Sequence, residues 1–211
     1  MAFQTPLSWL QDFVELNQSP DDLAERLTTA GLEVETIEKI GENWGEFCVV
    51  GQIKKIRKHP NADALHLVDV EFGADKPITL VTGAPNIHEM GNSIPEPAPK
   101  VALALTGAML IDAYHEDRAL KKLKPAKIRG IASEGMLCSE LELGLSEEHE
   151  GILILPDDAP VGTLLQDFLG DTILHFAIKG GFSYLLSMLA SYTHFRAHQT
   201  LRYIVCRILL Y

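Results

Sequence analysis

The sequence predicts an α+β, mainly β protein: a five-stranded β-barrel with a small helix–helix–strand unit packed against it. Three observations carry that expectation. Two helix start signals, each followed by apolar residues at helical spacing, lie in the first 31 residues. From Phe47 to Leu105, short aliphatic and β-branched runs alternate with Gly, Pro and Asn turns, the pattern of a small all-β domain. The 211 residues are 46% hydrophobic and 22% charged, which supplies a packed core and excludes a disordered chain.

Thr5-Pro6 reads as the N-cap and first turn of a helix whose apolar face is Trp9, Leu10, Phe13 and Val14. Ser19-Pro20-Asp21-Asp22 repeats the signal. Leu23, Leu27 and Ala30 follow at helical period, and Gly31 ends the helix. Glu33 to Ile40 alternates as a strand, and polar Gly41 to Glu46 reads as a linker. Phe47–Arg57, Ala64–Phe72, Ile78–Thr82 and Val101–Leu105 read as strands. Pro60-Asn61-Ala62-Asp63 is a turn, with Pro60 holding His59 extended. Gly83-Ala84-Pro85-Asn86 breaks the third of these strands, and Glu89–Lys100, with Pro95, Pro97 and Pro99, is a stiff loop. Lys127 and Arg129 form a strand-like lead-in to turns at Gly130 and Gly135. Five strands with basic edges fit an OB-fold, which binds nucleic acid on one face and in its loops.

Net charge is −11, so a generic polyanion binder is excluded. Distribution matters more than the sum. Of the 14 basic residues up to Ile178, nine lie in two runs: Lys54, Lys55, Arg57, Lys58, and Lys121, Lys122, Lys124, Lys127, Arg129. Two solvated strand faces are the plainer explanation; a positioned contact with phosphates is the functional one. Cys48, Cys138 and Cys206 are too far apart and too few for a disulfide framework or a CxxC metal site, so a reducing cytoplasm is expected. No apolar stretch reaches membrane-spanning length, and no membrane partner is expected.

Catalytic patterns are weak. Ser133 has Gly135 two residues after it, but Ile131 where a hydrolase elbow needs glycine. Cys138 has no evident base. His194 and His198 share an i,i+4 spacing without a carboxylate nearby, so no metal site and no catalytic residue are assigned. No phosphate-cradling glycine loop is present. For nucleic acid, His59 and Asn61 sit at a strand-end turn where they face phosphate or a base edge, or else hold the turn themselves. Ser133, Met136 and Ser139 lie beside Lys127 and Arg129, an arrangement of hydroxyl and backbone donors next to cations. Stacking aromatics are scarce: Phe47, Phe72 and Tyr114 are the candidates, and the first two read as core.

Several segments together resemble a known family. They are Ser8-Trp9-Leu10, Ala30-Gly31-Leu32-Glu33-Val34-Glu35, Val49-Val50-Gly51, His59-Pro60-Asn61-Ala62-Asp63, Thr82-Gly83-Ala84-Pro85-Asn86, the run from Lys127 to Glu140, and Glu142-Leu143-Gly144-Leu145. From about Phe3 to Ile178 the chain resembles the start of the bacterial phenylalanine–tRNA ligase β subunit. The resemblance implies an N-terminal α/β unit (1–41), a tRNA-binding OB-fold domain (42–166), a strand returning to the first unit (167–178) and an aberrant tail (179–211). It implies tRNA, expected to be phenylalanine tRNA, and a synthetase α subunit in an (αβ)₂ complex as partners. No cofactor is implied for this region; ATP and magnesium belong to the full complex. Candidate tRNA contacts are Lys54, Lys55, Arg57, Lys58, His59, Asn61, Asn86, Lys122, Lys124, Lys127, Arg129, Ser133, Met136 and Ser139.

Two departures stand out. The Pro-rich loop near Pro95 is longer than the family's. After Ile178, Lys179-Gly180-Gly181-Phe182 replaces the family pattern, and residues 179–211 contain no Asp or Glu. That tail reads as a shifted frame or a divergence after truncation. The expected function is tRNA binding that supports phenylalanylation without catalysis of its own. The rival is a free-standing tRNA-binding protein of the same OB-fold family.

Overall fold

The computed structural model describes residues 3–91, 94–113 and 117–177. The expectations for Tyr114 and for residues 178–211 therefore lie outside the described residues. In chain order the elements are β1 (Phe3–Pro6), α1 (Leu7–Gln11), α2 (Pro20–Thr29), β2 (Val34–Ile40), a 3₁₀ turn (Gly45–Phe47), β3 (Cys48–His59), β4 (Ala62–Glu71), β5 (Ile78–Thr82) and α3 (Pro85–Met90). They continue with β6 (Lys100–Leu105), β7 (Met109–Ile111), β8 (Leu120–Lys122), β9 (Ala126–Ile128), β10 (Ile131–Ser133), β11 (Gly135–Leu137), α4 (Glu140–Leu143), β12 (Ile154–Leu155), α5 (Leu165–Leu169) and β13 (Asp171–Phe176). The protein is mainly β, with antiparallel sheets and short helices. It divides into two compact units, one holding the chain's beginning and its segment from Asp171, the other Ile40–Gly170.

In the first unit the sheet order is β1-β13-β2, with Phe3 opposite Phe176 and Pro6 opposite Ile173. Leu7, Leu10, Leu23, Leu27, Leu32, Leu174 and Phe176 form its core. Helix α2 follows the sequence signal: the Ser19 hydroxyl accepts the Asp22 N–H at 3.2 Å, Pro20 occupies the first turn, and Gly31 leaves the helix at φ +97°. The first helix does not. Thr5 is a strand residue and fully buried, and the helix begins after Pro6 without a local side-chain cap. The Asp171 carboxylate caps it instead, accepting the Ser8 N–H at 3.2 Å and the Ser8 hydroxyl at 2.5 Å. No sequence signal near Ser8 could show a cap 163 positions away.

In the second unit the largest sheet runs β11-β6-β3-β4-β5, with β12 also on β6; among the described residues its hydrogen-bond ladder does not close on itself. Successive side chains of a strand point to opposite faces. Cys48, Val50, Ala102 and Ala104 enter one core with Trp44, Cys138, Leu143 and Leu165. Val49, Ile53, Val101 and Leu103 enter another with Val68, Val70, Leu80 and Leu137. Burial on both faces explains why Val101–Leu105 is a continuous apolar run rather than an alternating one. Gly51 is required where β3 approaches β4, since a Cβ there would lie 2.5 Å from Val70 Cγ1.

Three expectations change. The linker at Gly41–Glu46 contains Trp44, which is buried and donates its indole N–H to the Leu143 carbonyl at 3.1 Å. The break at Gly83–Asn86 opens a helix, α3, because Pro85 is preorganised for a first turn. Phe47 is 37% exposed, its ring lying over Gly107, rather than part of the core.

Candidate nucleic-acid interface

Strand β3 carries the first basic run. A bulge between Ile53 and Lys55 turns Lys54 and Lys55 both outward while Ile53 and Ile56 remain in the core. Lys54 pairs with Glu71 at 2.7 Å and Arg57 with Asp69 at 2.5 Å, the latter also accepting the Thr79 hydroxyl at 2.7 Å. Sequence reading missed these acidic partners because they are reached diagonally across a bulged register, which sets Glu71 opposite Gln52 and Asp69 opposite Lys55. Lys55 and Lys58 are exposed and have no ion-pair partner among the described residues.

The second run spans β8 and the β9–β10 hairpin. Its tip is Arg129-Gly130, at φ +49° and +96°. Both central residues of a two-residue hairpin at positive φ is the type I′ signature, whose twist matches the flanking strands. Lys127 and Arg129 are exposed there. Lys121 pairs with Asp112 at 3.0 Å; Lys122 and Lys124 are exposed without such a partner among the described residues.

His59 and Asn61 join the two runs. His59 is buried, and its Nδ1 accepts the Asn61 backbone N–H at 3.1 Å. The proton of the neutral ring is then on Nε2, which faces the Ile128 carbonyl at 3.3 Å as donor. The Asn61 amide donates to the Arg129 carbonyl at 3.2 Å. Two turns about 70 positions apart are thereby stitched together, and Lys58 is brought to the same end of the fold as Arg129.

The other candidates are occupied by the fold. The Asn86 amide donates to the Ile152 carbonyl at 2.9 Å and its oxygen accepts the Ile152 N–H at 3.2 Å. The buried Ser133 hydroxyl accepts the Val81 N–H at 3.2 Å and donates to the Gly135 carbonyl at 2.9 Å. Ser139 caps α4 in a reciprocal capping box with Glu142. Met136 is half-buried on β11. Nucleophilic chemistry finds no support: burial pushes the Cys48 thiol up to about 12 and holds Cys138 well above the ordinary thiol range. Among the described residues no group of three His, Cys, Asp or Glu could hold a metal ion, and no helix is long and apolar enough to cross a membrane.

Residues 48–103 and 116–164 match the tRNA binding domain family, spanning β3 to the start of α5 and both basic runs. This part of the chain belongs to that family. It is also 48% identical over 169 residues to the phenylalanine–tRNA ligase β subunit of Dehalococcoides mccartyi, covering 80% of this chain and 19% of that protein. The β subunit of Salinibacter ruber is 43% identical over 77% of this chain and 19% of its own length. That of Synechocystis is 42% identical over 86% and 21%. The chain spans about a fifth of the length of the relatives it matches.

Proposed function

We propose that this chain binds tRNA through one surface formed by its two basic runs, as the N-terminal tRNA-binding region of a phenylalanine–tRNA ligase β subunit. The observation that carries this is the junction at His59 and Asn61, which ties the end of the first run to the tip of the second. Lys55, Lys58, Lys127 and Arg129, without ion-pair partners among the described residues, supply cations for phosphate, while His59, Asn61, Asn86, Ser133 and Ser139 hold the loops that present them. Phosphate contacts of this kind fix orientation and carry no sequence information themselves. Closure of the large sheet into an OB-type barrel is part of the same reading: the Ser133 hydroxyl accepts from Val81 on β5, and Gly135 packs on Leu80. The complete protein acts in the cytoplasm with an α subunit in an (αβ)₂ complex, and phenylalanine tRNA is the cognate nucleic acid.

The test is a filter-binding titration of the purified chain with phenylalanine tRNA across a range of salt. Binding whose log K falls linearly with log salt, at a slope reduced by neutralising Lys55 and Lys58, supports the reading. Absence of binding at low salt refutes it.

A further inference from the structure

A cleft of about 550 Å³ lies beside the β7–β8 ribbon, and neither His59 nor Asn61 lines it. That volume falls within the range of about 300–1,000 Å³ typical of small-molecule sites. Its apolar wall is Leu110, Leu120, Leu123 and Met136. Leu110 is buried, whereas Leu120 is 46% exposed on β8, whose other two residues are lysines. The acids at the cleft are already engaged: Asp112 pairs with Lys121, and Glu142 accepts from the backbone and hydroxyl of Ser139. The cations left without a partner among the described residues are Lys122 and Lys124, both on the rim.

We infer that this cleft holds one unstacked base of a single-stranded RNA segment, with Lys122 and Lys124 on the flanking phosphates. An apolar slot alone suits many occupants. An apolar slot lined by three lysines against two acids, with Lys122 and Lys124 lacking an ion-pair partner among the described residues, suits a flat π-face joined to anions. Among the described residues of the cleft wall, aliphatic side chains and the Met136 thioether take the place of an aromatic platform, since a polarisable sulfur makes favourable contacts with aromatic rings. The inference rests on the tRNA-binding reading and adds to it a base-contacting subsite and a preference for unpaired RNA.

The experiment titrates the full chain with a fluorescent single-stranded oligoribonucleotide, the same strand annealed to its complement, and a version carrying abasic positions. Leu120→Gln removes apolar wall without changing charge and, at an exposed position, leaves the fold intact. It is expected to weaken single-strand binding about fivefold or more, with the salt slope unchanged. Duplex and abasic binding are expected to stay as in the unaltered chain. The double variant Lys122→Gln with Lys124→Gln is expected to lower the single-strand salt slope by about 1.4. Equal effects of Leu120→Gln on single-strand, abasic and duplex RNA, or no effect on any, would overturn the subsite. So would a change in oligomeric state on light scattering without a change in RNA affinity, which would make the face a contact between copies. If Lys55→Gln with Lys58→Gln weakens tRNA binding while Leu120→Gln does nothing, the cleft fails and the tRNA-binding reading stands. If the unaltered chain binds neither tRNA nor the oligoribonucleotide, both fail.

Discussion

Replacing Lys55, Lys58, Lys127 and Arg129 together by Gln separates positioned cations from merely abundant ones. Lys58, Lys127 and Arg129 are beside the junction of the two turns, Lys55 lies further along β3, and none of the four has an ion-pair partner among the described residues. Each phosphate contact contributes about 0.7 to 0.9 to the log–log salt slope, so losing four lowers it by about 3. Between 50 and 200 mM salt a slope change of that size removes about 60-fold of the salt-dependent loss in affinity. The comparison is the double variant Lys54→Gln with Arg57→Gln, whose side chains are held by Glu71 and Asp69. It weakens binding, because two acids lose their counter-charges, but the slope should change by much less than one. Filter binding of phenylalanine tRNA at several salt concentrations reads both. An unchanged slope in the fourfold variant, or an equal change per residue in both variants, would refute the assignment of free and occupied cations.

Three further outcomes are expected. Asn61→Ala removes the bond to the Arg129 carbonyl, costs about 0.5–1.5 kcal/mol in urea unfolding, and weakens tRNA binding with an unchanged salt slope, because no charge is lost. Gly135→Ala places a Cβ 2.6 Å from the Ala104 carbonyl oxygen and 3.2 Å from Leu80 Cδ2; an overpacking cost of about 1–3 kcal/mol should appear as a lower urea midpoint. His66 is buried against His88 at a ring separation of 5.2 Å, and burial, then His88, then Lys58 lower its pKa below the ordinary 6.5. As pH falls through 6.5 the unfolded chain takes up that proton before the folded one does, so stability declines toward acid. His66→Leu should lose less stability than the unaltered chain between neutral pH and pH 5, and parallel melting curves for the two would show that His66 does not contribute.

The sequence by itself determined the features whose causes lie within a few residues. Ser19-Pro20 starts α2 because cap and first turn are adjacent, and β5 begins at Ile78 and ends at Thr82 where the aliphatic run does. The turn at Pro60-Asn61 and the two basic runs were legible in the same way, whereas the tRNA-binding segments were legible only through their resemblance to a known family. Tertiary structure decided whatever depends on a distant partner. Thr5 became a strand residue because β13 supplies its ladder, and Trp44 became core because the Leu143 carbonyl lies within reach of its indole. The same closure sorted the candidate contacts. Asn86 is spent on Ile152, and Ser133 on Val81 and Gly135, although their residue types suit RNA equally well. Lys54 differs from Lys55 only through a bulge that sets which of them meets an acid. Caps, turns and periodicity are short-range and are written locally. Pairing register and the partners of a buried hydroxyl or imidazole are fixed only when strands far apart in the chain are brought to hydrogen-bonding distance.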